Sequence, residues 1–293
     1  MTVAAGLTLA FAAGAKLYPV VLAPLLFLSL ARRLGWRSAV VPAAAFVVTL
    51  ALIAWPMMPG DRDHLPAQGP PVATGGEELP PLPPMEAFSE PRDPGQGLTA
   101  FLSQWEMNDF LFLLVMENLR PYADLPPRER AWFSVVPERW RETATAVVQS
   151  RFGVEARRVP FFLSRALTSF LFLILALWFA WRGSAAVGVT GWLHAGFLTL
   201  AWFWLLQPTL NPWYWAWALP LVPFARNRAW LAVSGLVFLY YLRFWLTYRF
   251  PETPVLGTRY PGPLFFDFVV TWFEFGPWFV WLALETRRSR TAA

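Results

Sequence analysis

The sequence contains no cysteine and only one lysine, Lys16, and charged residues make up only 15% of its 293 positions. Without cysteine the chain can form no disulfide, no thiolate metal site and no thiol nucleophile. The charged fraction lies well below the roughly 25% that is usual in soluble domains. No G-x-G-x-x-G, Walker or H-E-x-x-H motif occurs, so dinucleotide-binding, NTP-binding and zinc-hydrolase functions lose their usual sequence support.

The chain is rich in hydrophobic residues, which make up 56% of its positions, and its mean hydropathy is +0.41. A transmembrane helix needs about 20 apolar residues. The composition therefore predicts an all-α polytopic membrane protein with about seven transmembrane helices. The fifth segment is short, and we expect it to be broken or tilted. The seven segments lie at about 3–31, 38–57, 160–181, 185–206, 212–225, 229–246 and 263–284.

The arginines indicate how these helices are oriented. In an alternating arrangement, one side of the membrane receives Arg32, Arg33, Arg37, Arg182, Arg226, Arg228, Arg287, Arg288 and Arg290. By the positive-inside rule this side is cytoplasmic. The sequence thus predicts a multi-pass protein of the inner cell membrane with an external N-terminus and a cytoplasmic C-terminus. Because the positive charge forms short clusters between apolar runs, nucleic acid is not an expected partner.

Three regions follow from this topology. Residues 1–57 form two spans, residues 58–158 form an external loop, and residues 159–293 form five spans. In the loop, 58–97 is rich in proline and predicts an extended strap, whereas 98–158 predicts short interfacial helices. One, over 98–118, is expected to lie along the membrane face, and a second to cover about 137–151.

Polar residues in or beside the apolar segments point to a site, because such groups are costly in lipid. Those predicted near the external surface come from the third, sixth and seventh spans and from the turn between the fourth and fifth. They are Arg165, Gln207, Asn211, Arg243 and Asp267. The alternative for each arginine alone is snorkelling to the membrane interface.

Lys16 is predicted to lie within the first span, beside Pro19, which removes a backbone donor and bends the helix. A single lysine among arginines indicates a need for a compact point charge, for instance on a phosphate. The alternative is a buried ion pair with Glu274. His194 has no partner at metal-ligand spacing and is interpreted as a helix-packing residue.

Acidic residues of the external loop are candidates for a catalytic base or a cation ligand. Glu106 and Asp109 are three positions apart and would share a helix face. Asp61 and Asp63 follow the second span directly. The alternative is that these four carboxylates are simply a solvated acidic surface.

Two motifs resemble those of a known family. "GAKLYPVVLAPLLFL" resembles the K-x-Y-P…P segment of the GT-C superfamily of membrane glycosyltransferases, especially bacterial polyprenyl-phosphate-mannose-type enzymes. "LNPWYWAWALPLVP" resembles their N/H-P-W-Y…W-x-L-P segment. The two motifs occur in the family's order with an external loop between them. Without the resemblance, the tryptophans of the second motif would be read as an interfacial aromatic belt.

The resemblance implies transfer of a hexosyl group, possibly mannosyl, from a polyprenyl-phosphate donor to a lipid or glycan acceptor at the external face. Lys16, Arg165 and Arg243 would bind the donor phosphate. The donor lipid or sugar would contact Tyr18, Gln207, Asn211, Trp213, Tyr214, Trp217 and Asp267. No cofactor is certain, and the need for a divalent cation such as Mg²⁺ or Mn²⁺ stays open.

The sequence departs from the family in its N-terminal part. GT-C enzymes carry their acidic catalytic residue in the first external loop, and this sequence begins inside an apolar run with no such loop before it. Either further spans are expected upstream, or Asp61, Asp63, Glu106 or Asp109 takes the catalytic role. The competing class is a non-catalytic membrane protein, meaning a transporter, a flippase or an accessory subunit, or an inactive fragment of such an enzyme.

Overall fold

The computed structural model describes residues 2–55 and 108–291, with the side chains of 289–291 excepted. We number the α-helices of the described residues α1 to α12 in chain order. They are α1 (Thr2–Ala15), α2 (Ala23–Leu34), α3 (Trp36–Ala54), α4 (Leu111–Leu119), α5 (Glu138–Phe152), α6 (Val159–Ser184), α7 (Val189–Leu205), α8 (Pro212–Trp215), α9 (Ala229–Leu236), α10 (Tyr240–Arg249), α11 (Gly262–Phe265) and α12 (Thr271–Thr291). These residues form no β-strand beyond an isolated bridge between Pro254 and Pro261, and the prediction of an all-α protein is confirmed for them.

Three helical stretches are long and apolar enough to cross a membrane: Trp36–Ala54, Ala156–Ser184 and Ala229–Arg249. They correspond to the second, third and sixth predicted spans. Apolar side chains on α6 such as Phe170, Leu173 and Ile174 are exposed, and burying them in lipid is favourable. Two further apolar helices, Thr2–Ala15 and Val189–Leu205, are shorter. The described residues therefore support a membrane protein, whereas the count of seven spans stays a prediction.

The first predicted span is two helices rather than one. α1 ends at Ala15, a 3₁₀ turn covers Tyr18–Leu22, and α2 begins at Ala23. The break follows from Pro19, which is buried and has no N–H to continue the helical hydrogen-bond ladder. α1 and α2 both pack against α3, and Gly6 allows close approach because a Cβ there would overlap the Pro42 carbonyl oxygen.

The fifth and seventh predicted spans are also interrupted. α8 is a single turn after Asn211-Pro212 and is followed by a 3₁₀ stretch, Leu219–Phe224, so the expectation of a broken fifth segment is confirmed. In the seventh, a π-helical turn over Phe266–Val270 separates α11 from α12. Such π turns are rare and occur frequently at functional sites, and this one contains Asp267.

The described part of the loop, residues 108–158, docks onto the helix bundle. α4 packs against α6, and Phe112 and Leu113 are buried. The expectation that this helix lies along the membrane face is therefore wrong for Leu111–Leu119, because its apolar side chains face protein. The second predicted helix is confirmed as α5, which ends at Gly153 in the left-handed conformation (φ 65°).

The arginine-rich segments lie together at one end of the bundle. The Arg32 Nη1 donates to the Trp181 carbonyl oxygen at 2.9 Å, and the Arg33 Nη2 donates to that of Ala186 at 3.1 Å. The Glu285 carboxylate accepts from the Arg228 backbone N–H at 2.7 Å. The ends of α2, α6 and α12 and the start of α9 thus meet, as the predicted alternation of spans requires.

Candidate functional site

The two quoted motifs meet in a row of aromatic rings. Tyr18, from the K-x-Y-P segment, stacks on Trp217, from the N-P-W-Y segment, with centroids 4.2 Å apart and an interplanar angle of 5°. Trp217 contacts Tyr214 at 4.6 Å, and Trp213 contacts Tyr240 of α10 at 5.6 Å. The rings are carried by the 3₁₀ turn Tyr18–Leu22 and by the turn that begins at Pro212.

The row leads to an ion pair in the first half of α10. Tyr240 lies one helical turn before Arg243, whose Nε is 3.2 Å from the Asp267 Oδ1 and whose Nη2 is 3.3 Å from Oδ2. This two-point contact between guanidinium and carboxylate fixes the orientation of both groups. It joins α10 to the π-helical turn, and two of the predicted site residues are thereby in direct contact.

A polar cavity of about 210 Å³ lies beside this ion pair. Asp109, Arg243 and Asp267 all line it, so the structure unites one predicted catalytic acid with two of the predicted binding residues. Asp109 is 4% exposed and interacts electrostatically with Arg243. A second cavity of about 260 Å³ shares Arg120 and Leu264 with the first. Together the adjoining cavities fall in the range of about 300–1,000 Å³ that small-molecule sites occupy.

Glu117 and Arg120, which the sequence analysis did not single out, also line the first cavity. The Arg120 Nη1 is 3.2 Å from the Glu117 Oε1, and the Tyr122 hydroxyl donates to Oε2 at 2.7 Å. Burial raises the pKa of Glu117 above its ordinary value of 4.5, although Arg120 and the Tyr122 hydroxyl act in the opposite direction. Burial and the Glu117 carboxylate raise the pKa of the Tyr122 phenol. Their signal in the sequence is an i,i+3 acid–base pair at the end of the apolar run "LFLLVMENLR".

Glu274 is fully buried on α12, and the alternative of an ion pair with Lys16 is wrong. Lys16 is exposed, at the break after α1, and forms no ion pair with Glu274. Neither Glu274 oxygen has a well-formed hydrogen bond within the described ranges, although the Asn108 side chain lies close enough to interact. Asn108 in turn donates from Nδ2 to the Leu210 carbonyl oxygen at 3.2 Å. This ties the start of the described loop to the N-P-W-Y segment.

Comparison of the chain with protein-family models, with curated proteins and with solved structures finds no significant match. The assignment of a function therefore depends on the sequence motifs and on the geometry of the site.

Three other predicted site residues, Asn211, Arg165 and Gln207, do not line the cavity of Asp109. Asn211 is buried directly after Leu210, and its Oδ1 has no hydrogen-bond partner among the described residues. Arg165 is half-buried on α6, and its Nη1 likewise lacks a partner within residues 2–55 and 108–291. Gln207 is half-buried just beyond α7.

Three candidate acids, Asp61, Asp63 and Glu106, lie outside the described residues. Of the four, only Asp109 can be placed, and it lies in the polar cavity. His194 accords with the packing interpretation, because its Nδ1 contacts the Phe224 carbonyl oxygen at 2.7 Å. This contact holds α7 to the 3₁₀ stretch Leu219–Phe224. In the described part of the chain, no three His, Asp or Glu side chains converge as a metal-ligand set.

Proposed function

We propose that this protein is a membrane glycosyltransferase that moves a hexosyl group from a polyprenyl-phosphate donor to a lipid or glycan acceptor at the external membrane face. The observation that carries the proposal is the stacking of Tyr18 on Trp217. It joins the two segments that resemble GT-C motifs, and the row of rings that it begins leads through Trp213 and Tyr240 towards Arg243. Arg243 lines the polar cavity together with a buried carboxylate, Asp109.

The reaction requires a base for the acceptor and a stabilised leaving group. In the proposed step the acceptor hydroxyl oxygen bonds to the anomeric carbon of the donor sugar. The bond from that carbon to the phosphate oxygen breaks, and polyprenyl phosphate leaves with the bonding electron pair. The hydroxyl proton passes to the Asp109 carboxylate. A base positioned in this way contributes roughly 10²- to 10⁴-fold to the rate.

Arg243 and Asp267 have a positioning part in this proposal. Because Asp267 already pairs with Arg243 through two contacts, the guanidinium is held in the cavity that Asp109 also lines. Lys16 and Arg165 make no ion pair within the described ranges, so they are the cations assigned to the donor phosphate. Charged donors aimed at a leaving phosphate stabilise the transition state.

The aromatic row serves the donor. Tyr18, Trp213, Tyr214 and Trp217 offer a stacked, largely apolar surface with polar edges, which suits a sugar face or the first isoprene units of the lipid. No step is assigned to a metal ion here, and the Asp267 carboxylate is paired with the Arg243 guanidinium.

The test is turnover by the full-length protein in proteoliposomes, with radiolabelled mannosyl and glucosyl polyprenyl phosphates as donors and extracted membrane lipids as acceptors. We expect label to enter an acceptor and polyprenyl phosphate to be released. Asp109→Asn should lower kcat by about 10²- to 10⁴-fold and leave donor binding nearly unchanged. Asp124→Asn, at an exposed position of the same loop, is the matched control and should be neutral.

Two outcomes would count against the proposal. Wild-type turnover by Asp109→Asn would remove the assigned base. Donor binding by the wild-type protein without any release of polyprenyl phosphate would favour the non-catalytic class, in which the same groove carries or presents the lipid.

A further inference from the structure

A cavity of about 850 Å³ lies at the arginine-rich end of the bundle, and Asp109 is not among the residues that line it. It is bounded by the last turns of α6, by α7 from Gly191 to Trp202, and by Leu282 and Thr286 of α12. Asp109 neighbours Arg243, near the end of the Ala229–Arg249 span, whereas Arg226 of this cavity precedes that span. The two sites therefore lie at opposite ends of the same helices.

One end of the cavity is cationic. Arg182 and Arg226 both line it, both are exposed, and neither forms an ion pair with a described residue. Arg226 also lines an adjoining cavity of about 720 Å³, together with Arg228, Arg288 and the carboxylate of Glu285. Arginine is suited to hold an anion with several oxygens, because its guanidinium offers parallel N–H donors.

The backbone holds Arg226 in place. Arg226 has a φ of 57°, a left-handed conformation that glycine adopts easily and that costs other residues energy. The contact of His194 with the Phe224 carbonyl anchors the preceding turn to α7. Arg226 therefore has a strained backbone, follows an anchored turn and lines a cavity. These three features indicate a binding role for its side chain.

Apart from His194 and Thr286, the rest of the wall is apolar and extends along the helices away from the arginines. Leu175 and Phe179 on α6 face Leu198 and Trp202 on α7. From Arg182 back to Leu175 is about 10 Å along a helix, enough for several methylene groups beneath a headgroup. The neighbouring Trp178 and Trp181 are 46% and 60% exposed, so the apolar wall continues onto the lipid-facing surface.

We propose that this cavity binds an anionic membrane lipid, with its phosphate between Arg182 and Arg226 and the first part of its acyl chain against the apolar wall. A cation at one end and an apolar wall at the other match an amphiphile, and basic pockets between membrane helices bind lipid headgroups in this way. The proposal does not depend on the glycosyltransferase assignment, since it concerns the other end of the molecule.

The test is lipid binding to the full-length protein in detergent, measured by native mass spectrometry and by thermal shift. The probes are dioleoyl phosphatidylglycerol, dioleoyl phosphatidylcholine and water-soluble glycerol phosphate. We expect a preference for phosphatidylglycerol over phosphatidylcholine and no shift with glycerol phosphate. Each arginine contributes roughly five- to ten-fold to the affinity, so Arg182→Gln with Arg226→Gln should abolish the preference. Arg226→Lys with Arg182→Lys should retain part of it.

Arg37→Gln is the matched control, because Arg37 is exposed at the same end of the bundle and lines neither cavity. Its preference should equal that of the wild type. The proposal is overturned if the wild-type protein shows no preference for phosphatidylglycerol, or if glycerol phosphate competes as well as the lipid. It is also overturned if Arg37→Gln weakens binding as much as the double variant does. If the double Gln variant does not fold, the Lys variant and the wild-type competition still decide.

Discussion

Lys16 is the residue on which donor recognition depends most sharply in the proposed function. It is exposed at the break after α1 and lies two positions before Tyr18, whose ring stacks on Trp217. A charge-assisted contact with phosphate is worth about 1.5–3 kcal/mol. We therefore expect Lys16→Met to raise the donor KM about ten- to a hundred-fold, while Lys16→Arg is only partly impaired because shape and hydration differ.

The measurement for Lys16 is the donor KM of each variant in proteoliposomes, with the amount of folded protein checked by size-exclusion chromatography. Because Lys16 has no buried carboxylate partner, both variants should fold as the wild type does. An unchanged donor KM in Lys16→Met would show that the ammonium does not contact the phosphate.

Glu117 should make stability depend on pH. Its pKa in the folded protein is raised above 4.5 by burial. Above pH ~4.5 the folded state therefore holds a proton that the unfolded state releases, and stability falls as the pH rises towards the raised pKa. We expect the apparent Tm in detergent to decline as the pH rises above about 4.5, and to decline less in Glu117→Gln.

Glu142 provides the control for this titration, since it is exposed on α5. Glu142→Gln should keep the wild-type decline in Tm. Parallel pH profiles of wild type and Glu117→Gln would mean that Glu117 titrates alike in the folded and unfolded states.

At the scale of elements, the backbones of α1 and α3 approach each other closely at Gly6 and Pro42. A Cβ at Gly6 would overlap the carbonyl oxygen of Pro42, which belongs to the backbone and cannot rotate away. Overpacking of this kind costs about 1–3 kcal/mol, so we expect Gly6→Ala to destabilise the protein by that amount. In Gly276→Ala, on α12, the added methyl meets nothing within 4 Å, and the higher helix propensity of alanine should make it neutral or mildly stabilising.

The check is reversible denaturation of both variants in mixed micelles, followed by tryptophan fluorescence. If Gly6→Ala is as stable as Gly276→Ala, the two helices are not in the close contact described.

Elements that could be predicted are those whose signal is local. The long apolar runs gave α3 and α6 to within a few residues, and the prolines of "KLYP" and "NPWY" predicted the breaks at Pro19 and Pro212. The burial of α4 could not be predicted, because spacing shows that a face is apolar and does not show whether protein or lipid covers it. The sequence also does not show which polar residues are buried. A Lys16–Glu274 ion pair was therefore a reasonable alternative, and the structure excludes it because Lys16 is exposed and Glu274 is buried.

The site was predictable in part. Arg243 and Asp267 were candidates because charge is costly in an apolar segment, and their contact follows from the pairing of α10 with the π-helical turn. Glu117 and Arg120 were missed because an i,i+3 pair at a helix end is usually solvated. Their place in the cavity depends on how residues 108–158 fold back onto the bundle, which includes the hydrogen bond from Asn108 to Leu210.

For the molecule as a whole, the proposed transfer reaction requires the Asp109 cavity at the external end of the bundle, which leaves the arginine-rich cavity at the cytoplasmic end. The segments that carry Arg32, Arg33, Arg182 and Arg228 meet in the folded chain, and the positive-inside rule predicts that this end faces the cytoplasm. A donor exposed on the outer surface could not reach a site placed the other way round.

Labelling of single cysteines in intact cells tests this arrangement most directly, because the chain has no cysteine of its own. Val187, between α6 and α7 at the arginine-rich end, and Val135, in the docked loop, are both highly exposed, so either can be replaced without loss of packing. The arrangement predicts that a membrane-impermeant maleimide labels Val135→Cys in intact cells and labels Val187→Cys only after the membrane is permeabilised. Labelling of Val187→Cys in intact cells, with Val135→Cys protected, would contradict it.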